Sequence, residues 1–272
     1  MNEERKARFI TSSPGTEYTL SESSKRGLSP AIAKAREITF KHLMADRDSS
    51  DKQLENLFKN ATSSLKNLKF IPGPQKGAKR AQEKTREDYN GDFYELKDLV
   101  RMTVVVPDAR CNFGACRSKV LSVREALVSY CKSSNGCAVI KDEEIEPKKD
   151  PCGYSGFNFV ARLPNGRLGE IQINTPNILF GKMSEDDFVK DLGQELHSLL
   201  KLKYHQIDCG MGHALYKIYR ESGGQKKKNA ETLSSDYYKF LRSDVPSLQI
   251  GKKLKEKLKE FRQKNRLHFI AQ

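Results

Sequence analysis

The sequence predicts an α+β fold, a mixed β-sheet flanked by helices with helical extensions at both ends. Three observations carry this. Leu99–Val106, LVRMTVVV, is a nearly continuous β-rich apolar run, the pattern of a strand buried on both faces. Gly156 to Thr175 alternates apolar and polar residues in two arms around a Pro-Asn-Gly turn. Segments with helical apolar spacing precede, separate and follow these strands, which suits helices packed on a sheet.

A chain of 272 residues suits one domain with helical additions, or at most two small domains. Apolar residues at 37% suffice for a core, and charged residues at 31% imply a heavily charged surface. Lys and Arg exceed Asp and Glu by 49 − 35 = +14, which excludes an acidic solvating protein. It points to anionic partners: phosphates, nucleotides, RNA or an anionic membrane face. No apolar run reaches the roughly 18 residues a membrane span needs, and the N-terminal residues show no apolar signal core. The six cysteines (Cys111, Cys116, Cys131, Cys137, Cys152 and Cys209) form no CxxC pair. They read as thiols in a reducing cytoplasm. No Cys/His grouping has zinc-ligand spacing.

Residues 1–29 are polar and read as a flexible arm. Ser29-Pro30 is a helix start, Ser as N-cap and Pro in the first turn. It opens a helix to about Asp46 that buries Ile32, Ile38, Leu43 and Met44. A second helix, Ser50 to Leu65, buries Leu54, Leu57, Phe58 and Ala61. Pro72-Gly73-Pro74 breaks the chain, residues 76–88 form a basic helix, and the buried strand ends at Pro107. Residues 113–131 form an amphipathic helix with Val120, Val123, Leu127 and Tyr130 inward.

The hairpin's register follows from its phase. A two-residue Asn165-Gly166 turn would set Phe159 opposite Gln172. A three-residue loop, Pro164 to Gly166, sets Phe159 against Ile171 and Phe157 against Ile173. Only the second sorts apolar from polar side chains, and it puts Gly166 where the backbone turns left-handed. One hairpin face is then apolar. The other carries Asn158, Glu170, Gln172 and Asn174, either as a solvated outer face or as the floor of a polar cleft.

Downstream, Asp186 to Tyr204 has helical spacing, Gly210-Met211-Gly212 breaks it, and His213 to Tyr219 is a short helix. Lys226 to Asn229 reads as a charged loop. Gly251 to Gln272 holds eight Lys/Arg against two Glu, with Leu254, Leu258 and Phe261 as a stripe. This basic amphipathic helix suits docking on the domain or lying against RNA. The predicted organisation is an arm at 1–29, helices at 30–66, a sheet-bearing core at 67–222 and a basic helical extension at 223–272.

Lys76, Arg80 and Lys84 recur every four residues. On a helix they share one face over about 12 Å, the span of a triphosphate. The alternative is a solvated basic face. Lys79 is adjacent, and no Walker-type GK[ST] loop is present. Asp98, just ahead of the buried strand, is a strand-end cap or a metal ligand. With Glu170 it could hold Mg2+ bridged to phosphate oxygens. Tyr154, on the Gly-flanked loop before the hairpin, could stack on a nucleobase or pack at a rim. His197, His205 and His213 lack metal-ligand spacing and read as structural, with His213 in GMGH the one whose flanking glycines admit a ligand.

Lys76 to Arg220 resembles the synthetase domain of the RelA/SpoT family, the alarmone synthetases. Gly153-Tyr154 resembles the family's N-G-Y-x-S-x-H loop, and Glu170-Ile171-Gln172-Ile173-Asn174-Thr175 its E-x-Q-I-R-T strand. Lys97-Asp98-Leu99-Val100-Arg101 resembles the Asp-bearing strand, and Lys76, Arg80 and Lys84 the basic helix. The resemblance implies a nucleotidyltransferase-like synthetase core that transfers the β,γ-pyrophosphate of ATP to the 3′-hydroxyl of a purine nucleotide. It implies that Asp98 and Glu170 hold Mg2+, that Glu170 activates the hydroxyl and that Gln172 orients it. Lys76, Lys79, Arg80, Lys84 and Arg101 would bind phosphates, and Tyr154, Asn158, Asn174 and His213 the acceptor. The chain departs from the pattern at Pro74, Arg101, Thr103, Gly156, Asn158 and Asn174. It looks closer to divergent single-domain and toxin-like members, for which tRNA is a further candidate acceptor and a non-catalytic nucleotide- or RNA-binding domain a third reading. No His-Asp dipeptide occurs, so the family's hydrolase activity is not expected.

Overall fold

The computed structural model describes residues 19–265 except 75, 107–112, 135 and 206. The frame is a sheet of β1 (Lys69–Pro72), β2 (Val100–Val105), β3 (Ala138–Ile145), β4 (Gly156–Arg162) and β5 (Leu168–Asn174). The strands run in the order β1-β2-β5-β4-β3. β2 and β5 are parallel and the other neighbours antiparallel, so the sheet is mixed, as expected of the α+β class.

The hairpin has the three-residue loop. The Leu163 N–H donates to the Arg167 carbonyl at 2.8 Å, and Gly166 has φ +81°. Phe159 pairs Ile171, Phe157 pairs Ile173, Asn158 pairs Gln172 and Val160 pairs Glu170. Burial therefore separates the two faces. Phe157, Phe159, Ile171 and Ile173 join Met102 and Val104 in one core. That core also takes Phe40 and Leu43 of α2 (Pro30–Ala45), Leu54 of α3 (Arg47–Ala61) and Val123 and Leu127 of α5 (Phe113–Ser133).

The helices after the hairpin build a second core. They are α6 (Pro176–Lys182), α7 (Glu185–Leu192), α8 (Gln194–Lys203), α9 (Met211–Glu221), α10 (Gly224–Leu241) and α11 (Leu248–Lys264). Phe180, Phe188, Leu200, Leu215, Tyr237, Leu241 and Leu258 meet there. The Tyr238 ring fills a notch made by two glycines: a Cβ on Gly212 would lie 2.4 Å from it and one on Gly181 2.8 Å. The predicted C-terminal extension is thus packed into the fold, with Leu254 and Leu258 buried. Among the described residues no helix is long and apolar enough to cross a membrane. Cys131, Cys137, Cys152 and Cys209 are unbridged, and Cys111 lies outside the described residues.

Several expected elements differ. β1 and β3 carry too little alternation to announce themselves: β1 has four residues, and β3 is an edge strand rich in charge. Asp186 to Tyr204 is two helices, parted at Gly193 with φ +96°. Lys226 to Asn229 lies inside α10, whose polar first turns show no stripe until Ala230. In α2, Leu43 and Met44 are buried as expected, but Ile32 and Ile38 are 50% and 47% exposed, and Phe40 is buried in their place. The second helix ends at Ala61, short of Leu65. The arm's end, before and within α1 (Glu22–Lys25), is docked: Leu20 is buried, and the Gln82 side chain of α4 (Ala78–Asp88) bonds the Thr19 carbonyl and the Ser21 N–H. Residues 1–18 of the predicted arm lie outside the described residues.

Candidate active site

The basic row and the buried strand meet at a cavity of about 710 Å3, lined by Lys76, Arg80, Lys84, Asp98, Arg101 and Arg220, with the Tyr216 ring on the same wall. α4 begins at Ala78, later than expected: the four-residue spacing brings Arg80 and Lys84 to one helix face, and Lys76 reaches the same cavity from the segment ahead of the helix. Lys79 does not join them. It borders a separate depression with Gln82, Glu83 and Arg86, because one residue's step along a helix turns a side chain by about 100°.

Asp98 sits just ahead of β2 and is only 8% exposed. Its Oδ2 accepts from Lys84 Nζ at 2.8 Å and lies 3.0 Å from Lys76 Nζ. Burial alone would raise the Asp98 pKa, but the bonds and charges of Lys84 and Lys76 outweigh it and hold the carboxylate below its usual range. Burial likewise works against the Lys84 ammonium, and Asp98 overcomes it, raising the lysine. The second oxygen, Oδ1, is buried with no hydrogen-bond partner among the described residues. An orphaned anionic oxygen beside a cavity is a fitting ligand for a cation.

On the polar hairpin face Asn158, Glu170 and Gln172 are half-buried and Asn174 is buried, so it is not a fully solvated outer face. Arg101 of β2 pairs Glu170 of β5, and Thr103 pairs Gln172. Gln172 Nε2 donates to Glu170 Oε2 at 3.3 Å. Asp98 and Glu170 make separate bonds, the first to lysines and the second to Gln172. Arg101 stands between the two groups: it lines the cavity with Asp98 and neighbours Glu170 across the strand pair. Among the described residues no three His, Cys, Asp or Glu side chains form a ready cation cluster, so an ion here would draw ligands from substrate oxygens.

Tyr154 does not offer an open ring. Its hydroxyl donates to Asn174 Oδ1 at 2.7 Å, its edge meets Tyr238 with centroids 5.7 Å apart, and Lys182 Nζ lies 5.5 Å over the ring. Burial, ahead of the other influences, raises its pKa. Asn174 is 1% exposed, and Gly156 keeps the space beside it open: a Cβ there would lie 2.9 Å from Asn174 Oδ1. Asn158 faces Gln172 from β4. His213 stands on the first turn of α9, with its pKa lowered by desolvation and then by the charges of Lys182, Lys217 and Arg101. His197 is buried against the rings of Phe180 and Phe188, and a His205 ring nitrogen lies 3.1 Å from the Pro246 carbonyl, both structural as expected.

Lys182, Tyr216 and Arg220 were not singled out by the sequence. Lys182 is the one cation in the apolar helix PNILFGK. Tyr216 and Arg220 recur at i, i+4 on the side of α9 away from buried Leu215 and Ile218. Those were the available signals.

No family model matches the chain. The (p)ppApp synthetase toxin Tas1 of Pseudomonas aeruginosa (strain UCBPP-PA14) is 33% identical over 147 residues, which are 54% of this chain and 29% of that protein. The chain thus spans under a third of that relative's length. A chain in the crystal structure of the complex between the type VI effector Tas1 and its immunity protein superposes with a TM-score of 0.61 at 26% identity. That alignment covers 75% of this chain and 96% of the other. In sequence this chain is similar to Tas1, and in fold to a chain of the complex between Tas1 and its immunity protein.

Proposed function

We propose that this chain is an ATP-dependent 3′-pyrophosphokinase whose acceptor is a purine nucleotide, foremost an adenine nucleotide as the name of Tas1 describes for that relative. The observation that carries the reading is the pairing of Arg101 with Glu170 at the edge of the cation-lined cavity. That neighbourhood supports reading Glu170 as the proton acceptor and the basic cavity as the seat of the polyphosphate.

The roles follow from chemistry. Lys76, Arg80, Lys84 and Arg220 take the negative charge of the triphosphate. Glu170 accepts the proton of the 3′-hydroxyl, which is a poor nucleophile while it keeps it. The hydroxyl oxygen then bonds to the β-phosphorus, the bond between that phosphorus and the α,β-bridging oxygen breaks, and AMP leaves. Gln172, Asn158, Asn174 and His213 orient the acceptor. Asp98 through its unpartnered Oδ1, together with Glu170, would hold Mg2+, which when bound supplies charge neutralisation to the phosphates. Tyr154, whose ring is already covered, supports the acceptor side through Asn174 rather than by open stacking. Residues 67–222 carry these groups.

The test is acceptor labelling. The protein is incubated with γ-labelled ATP and Mg2+ and offered AMP, ADP or ATP, then GDP or GTP, then bulk tRNA. Label on adenine nucleotides is expected. Label only on tRNA would replace the acceptor, and ATP binding without any transfer would leave a binding domain. Glu170→Gln, nearly isosteric, is expected to lower kcat by at least about 100-fold with an unchanged unfolding midpoint. Full activity in that variant removes Glu170 from the chemistry.

A further inference from the structure

Beside the polar face of the hairpin lies a cation that the proposed chemistry does not use. Lys182 ends α6, and Lys182 Nζ donates to Gln172 Oε1 at 2.5 Å. Its ammonium also lies 5.5 Å over the Tyr154 ring. Gln172 in turn donates through Nε2 to Glu170 Oε2 at 3.3 Å. An ammonium has only donors, and an amide has one end of each kind. With Lys182 in place, only Oε1 can face it, so Nε2 must face Glu170. The bond to Glu170 favours this orientation too, and Lys182 adds the second anchor by holding Oε1, so the amide is fixed at both ends. Turned over, it would set its oxygen against the carboxylate.

We infer that Lys182 is a positioning residue: by fixing which way the Gln172 amide points, it holds one oxygen of Glu170 and leaves the other turned to the acceptor hydroxyl. The inference rests on the proposed function for its consequence in catalysis, while the geometry of the relay stands without it. The hydrogen bond to Gln172 and the contact with the Tyr154 ring compensate a lysine in surroundings adverse to its charge. Burial, and then Arg101, push its pKa down to about 8, with Glu170 opposing. The α6 helix that delivers it starts directly after β5, where the Thr175 side chain caps its first turn.

The test is a double-substitution cycle on the full chain, with Lys182→Met, Gln172→Ala and the pair. Lys182→Met removes the donor while keeping most of the side chain's length and packing. Its kcat is expected to fall about 10- to 100-fold, with the KM for ATP within about twofold, because the phosphate cavity is untouched. In the Gln172→Ala background the same change should cost less than about twofold. Equal losses in both backgrounds, or a raised KM with kcat unchanged, would overturn the inference. Lys182→Arg keeps a donor and should retain most of the activity. It also serves if the methionine variant fails to fold, since a Lys182→Arg protein as impaired as Gln172→Ala would equally refute the relay. A second readout needs no turnover: the Gln172 side-chain amide signal in 15N NMR, identified by its loss in Gln172→Ala. It should shift in Lys182→Met and much less in Lys182→Arg; the same signal in wild type and Lys182→Met rejects the inference. If the wild type labels no acceptor, the proposed function fails, and the amide signal alone decides this one.

Discussion

Asp98 is a buried carboxylate that is paired through one oxygen and unpartnered at the other. Two ammonium groups share its Oδ2 while Oδ1 has no partner. Its pKa is lowered in the folded chain, so it contributes stability that is present above the unfolded carboxylate value and lost as pH falls through the folded one. Chemical unfolding between pH 5 and pH 2 should therefore show an acid-side loss that Asp98→Asn lacks. A difference between the two proteins that is flat across that range would contradict it. The presence of a carboxylate here could be read from the sequence, since Asp98 precedes a buried run. Its clamp by two lysines could not, because Lys76 and Lys84 were expected to face phosphate, and their preference for Asp98 depends on a burial that no local pattern reveals.

At the scale of elements, the hairpin was readable to the register because a one-residue slip would have turned Phe157 and Phe159 into the cleft. The helices after it were less so. Their stripes face a second core assembled from six helices, and each holds only part of the message: α6 is seven residues long, and α10 opens with exposed lysines. The division between α7 and α8 rests on backbone alone. Gly193 has φ +96° and ψ 151°, while a Cβ there would meet nothing within 4 Å. Gly193→Ala is thus expected to cost about 1–3 kcal/mol through conformational strain and none through crowding. Urea unfolding should show it with the helical circular dichroism of the native state unchanged. A neutral substitution would mean the two helices can merge.

For the molecule as a whole, charge and burial make different claims on the C-terminal helix. Its net positive charge suggested RNA as readily as docking, and composition alone could not choose. The structure places Leu254 and Leu258 in the same core as Tyr237 and Leu241. Leu258→Ala is expected to destabilise the chain by about 2–5 kcal/mol. Replacing exposed Lys255 and Lys259 by Glu should stay within about 0.5 kcal/mol. The reverse ranking in urea unfolding would make the helix an appendage.

The doubly held carboxylate also dictates an order of events. A lone divalent ion approaching Asp98 meets an anion whose charge two ammonium groups have already answered, and the basic wall repels it. A nucleotide carrying its own ion offers new company to both parties at once, phosphate for the lysines and metal for the acid. Titration calorimetry should accordingly register almost no heat with magnesium alone and a full isotherm with magnesium and a non-hydrolysable ATP analogue together. A strong response to the bare ion would show that the lysines yield without being offered anything in exchange.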